Sequence, residues 1–167
     1  QSGCIKINGL DQKGVPPNLR KVGMVFQDYA LFPHLTVEQN LRYGLKLKKD
    51  LPKENWSGLV HQAARILGLT ALLDRYPHEL SGGQQQRVAL GRGLVLKPGI
   101  LLMDEPLSSL DAKLRTQVRE ELQDIQQQLG ITTVYVTHDQ EEALSLSDAV
   151  AVIHHGKLQQ AGRPEDV

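Results

Sequence analysis

Ile100-Leu101-Leu102-Met103-Asp104-Glu105 is an apolar run that ends in two carboxylates. A run this short, bounded by turn residues, reads as a strand buried among other layers. Two adjacent acids at its end cannot both be core residues, because a buried unpaired carboxylate is too costly. Neighbours on a strand point to opposite sides, so the two acids have different tasks. Asp104 reads as a ligand for Mg2+, through water, since that ion keeps much of its hydration shell. Glu105 reads as the group that polarises an attacking water. Upstream, Leu80-Ser81-Gly82-Gly83-Gln84 places a hydroxyl and two glycines at the start of a helix. Free backbone N–H groups and the helix dipole favour an anion there, and glycine lets it approach closely.

The rest of the chain alternates strand and helix patterns. Ile5 and Ile7 alternate with polar neighbours before Asn8-Gly9, as in a short antiparallel ribbon. Val22 to Phe26 reads as a buried strand, and Thr36-Val37-Glu38-Gln39 has the spacing of a capping box that opens a helix through Leu41 and Leu45. A second helix is predicted from about Lys53 to Leu67, stopped by Gly68, and a short third from Leu69 to Arg75. Ser81 repeats the capping spacing for a helix ending near Lys97-Pro98-Gly99. Asp111 caps a long helix with Leu114, Val118, Leu122, Ile125 and Leu129 on one face, read as packing on the sheet. Gly130 ends that helix. Thr132 to Thr137 and Ala149 to Ile153 are strands, Gln140 to Leu146 is a helix, and His155-Gly156 turns into Lys157-Leu158-Gln159. The glutamines at 84–86 and 126–128 are assigned to solvent-facing helix positions.

Such an alternation predicts an α/β fold with a parallel sheet covered on both faces. Chemistry in these sheets sits beyond the carboxyl ends of the strands. Gln27, Asp104-Glu105 and His138 each fall there, on three separate strands, and form one constellation. The Gln27 amide can ligate Mg2+ or its water. In the loop that follows, Tyr29, Phe32 and Pro33 form an apolar patch suited to a partner, with His34 beside them. The remaining histidines lack such context, and Trp56 reads as local packing.

The chain has 167 residues, enough for one domain with a real core. Lys+Arg and Asp+Glu are both 19, so no net charge points to nucleic acid or to an anionic membrane. Cys4 is the single cysteine, which excludes an internal disulfide; it reads as a partly buried residue of an early strand. No apolar run approaches the roughly 18 residues of a membrane span, and no signal peptide is visible, so the expectation is a soluble cytoplasmic protein. Gln1-Ser2-Gly3 carries no initiator Met, and both ends read as cuts through a longer protein.

The order of these motifs resembles the ATP-binding subunits of bacterial ABC importers across nearly the whole chain, in the group that serves sugars, polyamines or ferric ion. Gly23 to His34 looks like their Q-loop, Leu80 to Gln84 like the signature, and Ile100 to Glu105 like Walker B. Ser108 to Asp111 looks like the D-loop and His138 like the switch histidine. The resemblance implies a P-loop NTPase (RecA-like) core with an inserted helical subdomain over about 35–96. It implies ATP and Mg2+ as ligands, Glu105 and His138 as catalytic residues, and Gln27, Ser81, Gly82, Gly83, Gln84, Asp111 and His138 as nucleotide contacts. It also implies head-to-tail pairing of two nucleotide-binding domains, as homodimer or heterodimer. A transmembrane permease would dock at Tyr29, Phe32, Pro33 and His34, with an external solute-binding protein involved indirectly. The location implied is the inner face of the cell membrane, peripherally.

Two departures from the family pattern stand out. No G-x-x-x-x-G-K-[ST] phosphate loop occurs in the 167 residues. The resemblance places this Walker A region upstream of residue 1, so the fold is expected to be truncated at its amino end and the peptide alone inactive. Gly91-Arg92-Gly93 stands where the family has alanines, and each glycine is expected to weaken its helix by about 1 kcal/mol. Two other readings remain: a non-transport ABC-type ATPase acting on DNA or ribosomes, and a non-enzymatic interaction module.

Overall fold

A computed structural model describes residues 3–48 and 51–167. Gln1 and Ser2, on which the reading of the amino end partly rests, lie outside the described residues. At the centre is a parallel sheet in the order β3-β4-β5. Its strands are β3 (Val22–Val25), β4 (Ile100–Asp104) and β5 (Thr132–Val136). Met24 pairs with Leu102 and Leu102 with Val134, so the three carboxyl ends line up side by side. The crossover from β3 to β4 carries α1 (Val37–Tyr43), α2 (Trp56–Ile66) and α3 (Gly82–Leu94). That from β4 to β5 carries α4 (Ala112–Leu129), and α5 (Gln140–Leu146) follows β5.

Two antiparallel ribbons pair outside this sheet: β1 (Lys6–Ile7) with β2 (Leu10–Asp11), and β6 (Val150–His154) with β7 (Lys157–Gly162). Their two-residue turns, Asn8-Gly9 and His155-Gly156, have φ of 50 and 78°, and 47 and 72°. Positive φ at both positions gives the turn whose twist matches the flanking strands. Cys4 precedes β1 and is exposed, against its expected place on a strand; the pairing is too short to reach it.

The capping boxes form as read. Thr36 Oγ1 accepts from Gln39 N at 3.3 Å while Gln39 Oε1 accepts from Thr36 N at 3.0 Å, and Ser81 and Gln84 repeat the exchange at 3.3 and 2.9 Å. Gly68 and Gly130, with φ of 65 and 57°, stand just beyond α2 and α4. The predicted helix over 69–75 shrinks to one 3-10 turn, Thr70–Leu72. The carbonyls of Leu73 and Arg75 are instead taken by the first N–H groups of α1, Glu38 and Val37, at 2.9 and 2.8 Å. Helix α3 ends at Leu94, short of Lys97, because Lys97 precedes Pro98 and takes φ of 49°.

Alternation along the strands sends Gly23, Val25, Leu101 and Met103 to the buried face. Helix α3 packs on it at β3, and α5 reaches it where Tyr135 O–H donates to Glu142 Oε2 at 2.9 Å. The other face does not match the expectation of two covered faces. Among the described residues, Met24, Phe26, Val134 and Val136 remain 40 to 52% exposed. The apolar stripe of α4 also departs from its reading, since Leu114 and Val118 face α3. Gln86, expected in solvent, is buried, and Gln85 donates to Pro77 O at 2.9 Å.

The glycines of α3 explain why that helix sits so deep. A Cβ on Gly91 would lie 2.6 Å from Leu41 Cδ2 and 2.7 Å from Leu67 Cδ1, two side chains that are fully buried. A Cβ on Gly93 would meet Leu101 Cδ1 at 3.4 Å, an ordinary contact. The loss of helix propensity therefore has a packing return at Gly91 that it lacks at Gly93. Gly91→Ala is expected to destabilise by about 1 kcal/mol or more, overpacking outweighing propensity. Gly93→Ala should stabilise by up to about 1 kcal/mol. Thermal melting of the two variants beside the parent checks the opposite signs.

Candidate active site

Glu105 is the first residue past β4 and takes φ of 44°, a left-handed backbone that costs a non-glycine residue on the order of 1 kcal/mol. Three bonds hold it there. Its N–H donates to Val136 O at 2.9 Å, and its carbonyl accepts from Ser108 N at 3.2 Å and Ser108 Oγ at 2.9 Å. The side chain is then met from both neighbouring strands. Gln27 Nε2, past the end of β3, donates to Glu105 Oε2 at 3.4 Å, and His138 Nδ1, past the end of β5, lies 3.3 Å from the same oxygen. The three-strand constellation read from sequence exists, and Glu105 is its centre. His138 keeps 72% of its side chain exposed, so the group opens to solvent.

Asp104, the last residue of β4, is exposed, and its carboxylate makes no hydrogen bond or ion pair among the described residues. Ser81 is also exposed, with its hydroxyl engaged in the cap of α3. A Cβ on Gly82 would lie 2.7 Å from Leu110 Cδ2, and one on Gly83 2.8 Å from Val118 Cγ2. These glycines therefore seat the start of α3 against the start of α4, a use that the sequence reading did not foresee. Asp111 caps α4, its Oδ1 accepting from Leu114 N at 3.0 Å. The turn 105–111 thus joins two halves of the site: Ser108 grips Glu105, while Leu110 packs on Gly82 of the Ser81 segment.

The loop 27–34 is built from residues that sequence reading passed over. Tyr29 is 6% exposed, which corrects its assignment to a surface patch. It sits over the 108–111 turn, accepting at its phenol oxygen from Ser109 Oγ at 3.0 Å. Burial raises the phenol pKa above its usual value, and the Ser109 hydrogen bond opposes that shift. Tyr29 and Ala30 both take positive φ, and Arg92 secures their carbonyls at 3.1 and 2.5 Å while its guanidinium lies 5.3 Å from the Phe32 ring centre. Asn40, fully buried on α1, accepts from Phe32 N at 2.9 Å and donates to the carbonyls of Phe32, Leu35 and Thr36 at 3.0 to 3.1 Å. Pro33 and His34 are exposed, and Phe32 is half-buried against the Tyr43 ring at 4.2 Å. The available signals were an amide between buried Val37 and Leu41, and an arginine between two glycines.

The sequence profile described as ABC transporter matches residues 1–108, more than half of the chain. The chain belongs to the ABC transporter family. It is 57% identical over 153 residues to the trehalose/maltose import ATP-binding protein MalK of Thermococcus litoralis, covering 92% of this chain and 41% of that protein. It is 54% identical over 162 residues to the Fe(3+) ions import ATP-binding protein FbpC of Fusobacterium nucleatum, covering 97% of the chain and 42% of the relative. This ABC chain therefore spans less than half the length of these curated relatives. A solved structure of cbiO1 from Clostridium perfringens, part of the ABC transporter complex cbiONQ, superposes with a TM-score of 0.80 at 32% identity. That match covers 96% of this chain and 63% of the other, and shows the α/β P-loop NTPase fold.

Asn40→Ala would leave Phe32 N–H and the Leu35 carbonyl without their buried partner, while the Phe32 and Thr36 carbonyls keep the backbone N–H groups of Leu35 and Asn40. The expected loss is about 1–3 kcal/mol. The urea midpoint should fall with an unchanged slope, and amide exchange should quicken at Phe32 and Leu35.

Proposed function

We propose that this chain is part of an ATP-hydrolysing subunit that drives solute import through a membrane permease. The observation that carries the reading is the convergence of Gln27 and His138, from two flanking strands, on one carboxylate oxygen of Glu105. This lies at the carboxyl edge of a parallel sheet, where α/β proteins bind their ligands. The relatives, import ATP-binding proteins for trehalose/maltose and for ferric ion, support transport over a DNA- or ribosome-directed role.

In this reading Glu105 takes up a proton from the attacking water as its general base. The strained turn and Ser108 keep its carboxylate in place, so little reorganisation is needed as charge develops. His138, exposed beside it, reaches the γ-phosphate. Ser81, Gly82, Gly83 and Gln84 at the start of α3, together with Asp111, contact the nucleotide bound to a second domain, paired head-to-tail in a homodimer or heterodimer; the Gly82 and Gly83 N–H groups lie outside the Ser81–Gln84 capping exchange. The donor chemistry at the strand ends suits Mg2+: Asp104 is an exposed carboxylate free of protein partners among the described residues, and Gln27 adds an amide oxygen. Bound there, Mg2+ supplies charge neutralisation on the phosphates.

The permease docks on Phe32, Pro33 and His34, whose loop is joined to the site through Tyr29 and Ser109. The stretch 35–96, which holds α1 to α3, acts as the helical subdomain. A solute-binding protein enters only through the permease, and nucleic acid is not a partner. No helix among the described residues is long and apolar enough to cross a membrane, which fits a subunit held peripherally on the cytoplasmic face. The 167 residues contain no phosphate loop, so alone they should bind ATP weakly and turn it over negligibly.

The test is ATPase activity of the protein expressed from its complete reading frame. Glu105→Gln and His138→Ala are each expected to lower turnover roughly 100-fold or more, with nucleotide binding retained in Glu105→Gln. Unchanged turnover in Glu105→Gln would sink the enzymatic reading.

A further inference from the structure

Helix α4 meets α5 through a row of polar contacts one turn apart. Arg115, Arg119 and Gln123 share a helix face. Arg115 Nη1 lies 3.4 Å from Asp139 Oδ2, Arg119 Nη1 lies 3.2 Å from Glu141 Oε2, and Gln123 Nε2 donates to Ser145 O at 3.2 Å. The first rung has a second arm, for Arg115 Nη2 donates to Leu110 O at 3.0 Å. One guanidinium therefore holds the 108–111 turn on one side and the residue after His138 on the other.

Both ends of this link are stiff. Ser108, in the same turn as Leu110, binds the Glu105 carbonyl. Asp139 Oδ1 caps α5, accepting from Glu141 N at 2.9 Å and Glu142 N at 3.2 Å, and Asp139 N donates to Thr137 Oγ1 at 3.0 Å. Thr137 Oγ1 in turn donates at 2.7 Å to Glu142 Oε2, a carboxylate only 2% exposed. The residues on either side of His138 are thus fixed to each other and to α5. Displacing Asp139 displaces the imidazole with it.

We propose that Arg115 is a positioning residue: its guanidinium fork joins the 108–111 turn to the His138 segment and so sets the imidazole against Glu105. The geometric part stands on the contacts alone; its consequence for turnover rests on the ATPase reading. Lysine cannot replace the fork, because a single ammonium on a flexible stem does not hold two divergent acceptors in fixed geometry.

The experiment uses the protein expressed from its complete reading frame, labelled with 15N-histidine, with the His138 signals assigned by their loss in His138→Gln. Arg115→Lys is expected to shift the His138 imidazole resonances, while Arg119→Met, which removes the next rung, leaves them in place. In the same preparations Arg115→Lys should lower kcat roughly 10- to 100-fold, with KM within about twofold, and Arg119→Met should keep both. Should Arg115→Lys fail to fold, Asp139→Asn breaks the pair from the other side while keeping a capping residue, with the same expectations. Imidazole signals that stay put in both variants overturn the proposal. So does an unchanged kcat in a protein whose Glu105→Gln variant is inactive. Shifted signals in a parent that hydrolyses no ATP support the positioning role and refute the ATPase reading.

Discussion

Strand β4 is hydrogen-bonded along both edges, and the pairing with β5 runs one residue beyond the strand, where Glu105 N–H donates to Val136 O. That extra bond ties the turn after β4 to the end of β5, and Ser108 closes it from the other side. A residue with a Cβ is thereby kept in a left-handed backbone that it would not choose. The parallel register does the remainder. Because the three strands end level, residues far apart in sequence deliver their side chains to one carboxylate oxygen.

The helices around this edge are arranged to keep it in place more than to add groups to it. Arg92 on α3 and Asn40 on α1 fix the loop after β3 through its backbone, and Tyr29 passes that order to Ser109. Gly82 and Gly83 bring α3 onto α4, whose opposite contacts run to α5 and the segment before it. The elements placed at nucleotide in the proposed function are thus held largely by one another. Small residues set the distances, and buried amides and guanidinium groups set the loop conformations.

Much of this was legible in the sequence where the signal was local. β-Branched and apolar runs marked β3, β4 and β5 within a residue, and serine, threonine and glycine marked the helix ends. Gln27, Glu105 and His138 were readable as a group because strand ends in a parallel sheet share one edge. What stayed hidden depends on through-space packing. Tyr29 read as part of an apolar surface patch, yet it is buried and its phenol oxygen meets Ser109, eighty residues on. Gly91 looked like a weak point in a helix until Leu41 and Leu67 appeared against it.

The register has a further consequence, for the order in which the chain folds. Val22 pairs with Ile100, so the central sheet closes only after the whole crossover between them has been spanned. The turn Asn8-Gly9 and the hairpin at His155-Gly156, by contrast, close within a few residues. Loop-closure entropy makes such long-range parallel pairing slow relative to hairpins and helices. Gln27 and Glu105 are 78 residues apart. A half-folded chain can therefore hold its capped helices and ribbons while lacking the candidate site altogether, and the strand-end edge becomes a late checkpoint on closure of the central sheet.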